Sequence, residues 1–221
     1  MWVSMGNDMA EIIYHGSQNI IHAPEYGKGK PYNDYGSGFY TTGNIELAGE
    51  WAVLHSNEDG YINEYTFNRS GLKVLKLDEL PLEKWVAVLM ECRKGSYNEI
   101  VRTRMEKFVK LYSIELTQYD IIEGWRANDA FFSYVRDFLN LLLSLEKMQE
   151  AMKLGEYGTQ ICLKSKDAFC SKRLVFVNSH TASVEQYYKT AITRDDNARR
   201  AYQGLTDKTK GTLLFDMIGR D

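Results

Sequence analysis

A chain of 221 residues with 44% hydrophobic and 26% charged residues can bury the core of one sizeable α/β or α+β domain, and three prolines leave little scope for disordered linkers. A net charge of −3 excludes the bulk electrostatic footprint of a non-specific nucleic-acid binder. Cys92, Cys162 and Cys170, widely spaced and without a CxxC pair, read as reduced thiols of a cytoplasmic protein. Nothing near the start resembles a secretory signal, and no apolar run approaches a membrane span.

In chain order, "EIIYHGS" (11–17) has the length and β-branched content of a strand that breaks at Gly16. Residues 18–38, rich in Gly, Tyr and charge, read as a functional flap. "GFYTT" gives a short strand. Asn44 then caps a helix, "IELAGEWAVLHS", with Leu47, Trp51 and Leu54 on one face. "GYINEYTFNRSGLKVLKL" has the alternation of a hairpin, with Leu72, Val74, Leu75 and Leu77 in its second arm.

Helical pattern follows from Asp78, a candidate cap, with Pro81 in a first turn and Gly95 as a stop before a second helix, "NEIVRTRMEKFVKLY". "YDIIEGW" is a strand, and "RAND" a turn and N-cap. "AFFSYVRDFLNLLLSLEKMQEAMKLG" is helical to Gly155, with Ser144 able to cap a second helix within it. "GTQICLKS" is a strand, "KDAFCSKR" a short helix capped by Ser165, and "LVFVNS" a last strand. From Ser183 the chain is charged and mainly helical.

Single residues carry little chemistry here. His15 alone is best explained as a core histidine, Gly16 as a turn glycine and Tyr40 as strand packing. Asp129 sits where a strand gives way to a helix, a place for a site carboxylate and equally for an N-cap. Arg126 can pair with phosphate or stand solvated, and Asn128 beside it is a weaker candidate. Lys28 and Lys30 interleave with Tyr26, Tyr32 and Tyr35 in the flap, a mixture that holds phosphates and stacks bases. No GxGxxG, P-loop or metal-ligand spacing is present, the last judged over His15, His22, His55 and His180.

Taken together, "YHGS", "YGSGFYTT" and "AGEWA", in this order and spacing, resemble the ADP-ribosyltransferase superfamily in its diphtheria-toxin and poly-ADP-ribose-polymerase-like, His-Tyr-Glu branch. "YDIIEGWRAND" and "GTQICLKSKDAF" extend the resemblance to roughly residues 11–177. It is similar above all to a bacterial family of that clan whose members often sit beside small partner genes in toxin–antitoxin-type or defence operons.

The resemblance implies an α+β fold: a split, mixed β-sheet ADP-ribosyltransferase-like core with helical insertions over 11–182. A helical C-terminal extension, 183–221, would pack on the same domain. It implies NAD as substrate, with no metal and no membrane. His15 would bond an NAD ribose hydroxyl, the Gly16 backbone would hold the nicotinamide carboxamide, and Tyr40 would stack on the ring. Ser17, Thr41 and Arg126 join them as binding candidates. Nicotinamide would leave through a cationic transition state, and ADP-ribose would pass to a protein or nucleic-acid acceptor. An antitoxin-like partner would restrain the enzyme.

The family's catalytic glutamate matches Gln160 here. Glutamine can hold a ribose hydroxyl but cannot act as a general base. Asp129 is the first candidate for the missing carboxylate, with Asp120, Glu123 and Asp34 behind it. Two alternatives therefore stand beside the transferase: an NAD glycohydrolase, and a module that binds NAD or ADP-ribose without turnover.

Overall fold

The computed structural model describes residues 10–219 apart from 55, 57, 94, 128, 156 and 157, with the side chains of 129, 130, 154 and 155 also outside the description. Two sheets organise this α+β chain. Strands β1 (Glu11–Ser17), β3 (Gly60–Phe67) and β7 (Leu174–Ala182) form an antiparallel sheet with β3 in the middle. Strands β2 (Phe39–Thr41), β6 (Thr159–Leu163), β5 (Ile121–Trp125) and β4 (Val74–Lys76) form a mixed sheet in that spatial order, with β4 parallel to β5.

Among the described residues one backbone bridge joins the sheets. Tyr14 on β1 exchanges both backbone hydrogen bonds with Thr42, just past β2, at 2.8 and 2.9 Å. Beyond it toward Ser17 the two strands part.

Helix α1 (Ile45–Val53) starts at Asn44, whose side chain accepts from the N–H groups of Glu46 and Leu47. It lies against β1 so closely that a Cβ at Gly16 would collide with the carbonyl oxygen of Ala48. Glycine at 16 is therefore demanded by helix–strand packing.

Helix α2 (Leu82–Cys92) buries Trp85 at the centre of the larger core. Its ring packs against Trp125 and against Phe131 of α4 (Asp129–Leu139). Trp85 Nε1 donates to Tyr35 Oη at 3.0 Å, and that hydroxyl donates to Trp125 O at 2.7 Å. A tyrosine of the flap is thus nailed into the core, which makes 18–38 an ordered wall.

Helix α3 (Glu99–Tyr112) and α5 (Leu145–Gly155) complete the helical layer, the latter opened by a Ser144 Oγ that accepts from Lys147 N. The C-terminal segment forms α6 (Val184–Gly204), capped by Ser183, and the short α7 (Leu214–Ile218). Tyr187, Ala191, Ala198 and Tyr202 of α6 are buried, so the segment belongs to the core.

Three local expectations need correction. The pattern at 60–77 is no hairpin: β1 and β7 occupy both edges of β3, and β4 pairs with β5 in the other sheet. "KDAFCSKR" forms turns, although Ser165 Oγ does accept from Ala168 N. Asp78 lies in a 3-10 turn, Leu77–Glu79, while α2 begins after Pro81. Alternation reveals which residues face inward but not which strand lies alongside.

Candidate functional site

Where β1 and β2 part, a cavity of about 920 Å³ opens. It lies near the upper end of the roughly 300–1,000 Å³ typical of small-molecule sites. His15, Gly16, Ser17, Tyr40, Arg126 and Gln160 all line it, so the chain brings together six residues spread over 146 positions of sequence.

The ring of His15 rests on Phe39, centroids 4.4 Å apart, and its Nδ1 lies 2.7 Å from the carbonyl oxygen of Tyr40. A carbonyl accepts only, so Nδ1 carries the proton. Burial holds the imidazole pKa below the ordinary 6.5 and outweighs that carbonyl, which pulls upward. The neutral ring therefore keeps Nε2 as a bare acceptor, suited to a ligand hydroxyl.

Backbone polar groups alternate sides along a strand. Tyr14 turns its N–H and C=O to Thr42. Gly16, two residues on, turns its own to the same side, where β2 has diverged and the cavity begins. Next to it, Ser17 Oγ donates to Asn19 O at 2.6 Å and receives Asn63 Nδ2 at 3.2 Å. Asn63, fully buried, also receives Ile21 N and donates to Asn19 O, and so fixes the root of the flap.

Tyr40 spends its hydroxyl on the flap, donating to Gly36 O at 2.7 Å and receiving Tyr35 N at 2.9 Å. Burial keeps this phenol well above its usual pKa and hence protonated. Its ring remains part of the cavity wall. Thr41 is not brought to the cavity: it is fully buried and its Oγ1 donates to Ile161 O at 3.1 Å, inside the sheet.

Gln160 is 4% exposed, opposite Gly124 on β5. Its Nε2 donates to Asp34 Oδ2 at 2.7 Å and, more weakly, to Trp125 O at 3.3 Å. Asp34 also accepts from Ala127 N at 2.9 Å and pairs through Oδ1 with Arg93 Nε at 3.0 Å. Burial pushes the Asp34 carboxyl above its ordinary range against the pull of Arg93, Ala127 and Gln160.

Asp34 is thus the candidate carboxylate that the fold brings to Gln160. Asp120 instead receives Lys73 N, and Glu123 pairs with Arg69 at 2.6 Å, neither lining the cavity. Asp129 opens α4, and its side chain lies outside the described residues, as do Asn128 and His55.

Two cavity features escaped sequence reasoning. Trp51, read as part of the buried face of α1, instead lines the cavity, as does Leu54, while Leu47 alone of the three enters the core. Its Nε1 is buried without a hydrogen-bond partner among the described residues, so the ring and not the N–H is what the cavity can use. The Arg126 guanidinium lies 5.6 Å over the Trp51 ring and forms no ion pair among the described residues, while burial lowers its pKa. Arg126 was already a phosphate candidate in the sequence, but its place over Trp51 joins distant segments, which no local spacing encodes.

The second feature is α6. Arg194 grips Glu50 of α1, which is 1% exposed, with Nε and Nη2 at 3.0–3.2 Å, and Ala191, Arg194 and Asp195 help to wall the cavity. Five cations (Lys28, Lys30, Arg93, Arg126, Arg194) and three carboxylates (Glu25, Asp34, Asp195) line it; Lys28, Arg93 and Arg194 are met by Glu25, Asp34 and Glu50, which leaves Lys30 and Arg126 without an ion pair among the described residues.

Among the described residues no cluster of His, Cys, Asp or Glu could hold a metal ion, and no helix is long and apolar enough to cross a membrane. No curated protein and no solved structure matches the chain. Residues 11–176 do match a family, described as "Protein of unknown function (DUF3990)". The match runs from β1 into β7 and so takes in His15, Tyr40, Trp51 and Gln160 while leaving α6 beyond it. As it covers well over half of the chain, the protein belongs to the DUF3990 family.

Proposed function

We propose that the protein is an NAD-dependent mono-ADP-ribosyltransferase with an ADP-ribosyltransferase-like core, a toxin or defence effector acting inside the cell and restrained by a small partner protein. The observation that carries this reading is the gap after the Tyr14–Thr42 bridge, where His15, the Gly16 backbone, Trp51 and Gln160 face one cavity.

The donor set fits NAD in kind. Trp51 offers an aromatic wall, and Gly16 an amide and a carbonyl that match a carboxamide. His15 Nε2 offers an acceptor for a ribose hydroxyl, and Arg126 a cation with no ion pair among the described residues for a diphosphate. NAD supplies a glycosidic bond to nicotinamide whose cleavage leaves ADP-ribose for an acceptor. The chain's part is to orient the two ribose-linked halves, to shield the reacting centre with the flap, and to offer neutral acceptors where positive charge grows.

Gln160 carries no charge and the Asp34 carboxylate is already met by three donors. That saturation favours, as a second reading, a module that binds NAD without turnover, with hydrolysis to free ADP-ribose between the two.

Incubating the protein with labelled NAD and cell extract, then separating protein, RNA, DNA and free ADP-ribose, decides among them. Label on a macromolecule is expected, and His15→Ala and Tyr40→Ala should abolish it; retention by both variants rules the site out. Free ADP-ribose alone would mark a glycohydrolase, and binding without nicotinamide release a binding module.

A further inference from the structure

The cavity wall contains one carboxylate buried against one carboxamide, contributed by segments 126 residues apart. Asp34 comes from the flap, Gln160 from β6, Ala127 from the end of β5 and Arg93 from the C-terminus of α2. A single carboxylate thus ties together the flap, two strands and a helix end. Asp34 is 5% exposed, so these contacts are made largely out of water, where a missed hydrogen bond is costly.

Contact with Asp34 fixes which way the Gln160 amide points. At 2.7 Å from a carboxylate oxygen the Gln160 atom must be the donor nitrogen, and Trp125 O takes that nitrogen's second proton at 3.3 Å. The nitrogen end is therefore committed to the protein. The carbonyl oxygen, an acceptor only, is the end left for a cavity ligand.

We infer that Asp34 is the positioning residue of this site, and that Asp34 and Gln160 work as one unit in which position 34 holds the charge and position 160 the hydroxyl acceptor. The inference rests on the reading of the cavity as an NAD site.

It carries a counter-intuitive consequence. Gln160→Glu, which would restore the residue implied by the transferase resemblance, sets two buried carboxylates at hydrogen-bond distance, where both cannot remain ionised. It should impair the site. Asp34→Asn in the same chain removes one of the two charges and still offers an oxygen to Ala127 N, so it should rescue. Asp34→Asn alone keeps an acceptor for Gln160 Nε2 and should be milder than Asp34→Ala.

The test uses the full-length protein and NAD, reading nicotinamide release for kcat and KM, with melting by circular dichroism to establish that each variant is folded. Asp34→Ala and Gln160→Glu are each expected to lose about 100-fold in kcat, the scale of a small misplacement at a reacting centre, with KM for NAD moving less than about threefold. The double variant Asp34→Asn/Gln160→Glu should regain at least about tenfold over Gln160→Glu. If Asp34→Ala does not fold, the Gln160→Glu series still decides.

A Gln160→Glu enzyme as active as the wild type, or a double variant no better than Gln160→Glu, overturns the positioning role while leaving the NAD reading standing. A folded wild type that neither binds NAD nor releases nicotinamide overturns the NAD reading, and the positioning role with it.

Discussion

His15 illustrates how one residue can be both a structural bond and a ligand contact. Its Nδ1–H holds the carbonyl of Tyr40 at 2.7 Å across the junction of the two sheets, and the same bond leaves Nε2 free as an acceptor. The ring must be neutral for this. Its folded-state pKa is held below 6.5 by burial, so protonation is disfavoured by the fold. The stabilisation it contributes is present above pH 6.5 and is lost as pH falls through the lowered value. Affinity for NAD should follow the same course: flat from pH 8 to about 6.5, then weakening in more acid solution as Nε2 gains a proton. Isothermal titration across pH 5–8 checks it, and affinity that improves on acidification would contradict the neutral tautomer.

Among the elements, α1 and α6 matter most to the cavity. Tyr187 of α6 occupies the space where a Cβ on Gly49 of α1 would stand, and Arg194 forks the Glu50 carboxylate beside it. Glu50→Gln should therefore lower stability by about 2 kcal/mol, below the roughly 3–5 kcal/mol of a fully buried broken pair because Arg194 stays a quarter exposed. It should also weaken NAD binding by freeing the α6 wall. Urea unfolding checks the first and titration the second; an unchanged midpoint would mean that hydrophobic packing alone docks α6. The face of α1 was legible in sequence through its Asn44 cap and its periodicity. What that face meets was not: the i, i+4, i+7 spacing of Leu47, Trp51 and Leu54 is the same whether the neighbour is core or cavity. Strands β1 and β6 were legible for the same local reasons, with His15 and Gln160 on them. The pairing of Asp34 with Gln160 and the crossing of β4 to the second sheet depend on contacts between distant segments, which no local pattern encodes.

At the scale of the whole molecule, the two sheets meet through the Tyr14–Thr42 bridge, the His15–Tyr40 bond, the Arg69 pairs to Glu11 of β1 and Glu123 of β5, and packed side chains, and the cavity begins where the bridge ends. A ligand that touches β1, β6 and the Arg126 segment at once would act as a further clamp between the sheets. Binding to the folded state alone stabilises it in proportion to the logarithm of ligand excess, by about 2.7 kcal/mol at a hundredfold excess over Kd. For a chain of this size ADP-ribose should then raise Tm by roughly 5–10 °C. Because Lys30 and Arg126 line the cavity without an ion pair among the described residues, the rise should shrink as salt goes from low to high concentration. Nicotinamide, which has no phosphate, should give a smaller rise that salt leaves unchanged. Thermal melts of the full chain with ADP-ribose or nicotinamide, at low and high sodium chloride, separate the two contributions. A shift with ADP-ribose that ignores salt would mean that Arg126 and Lys30 leave the diphosphate to solvent.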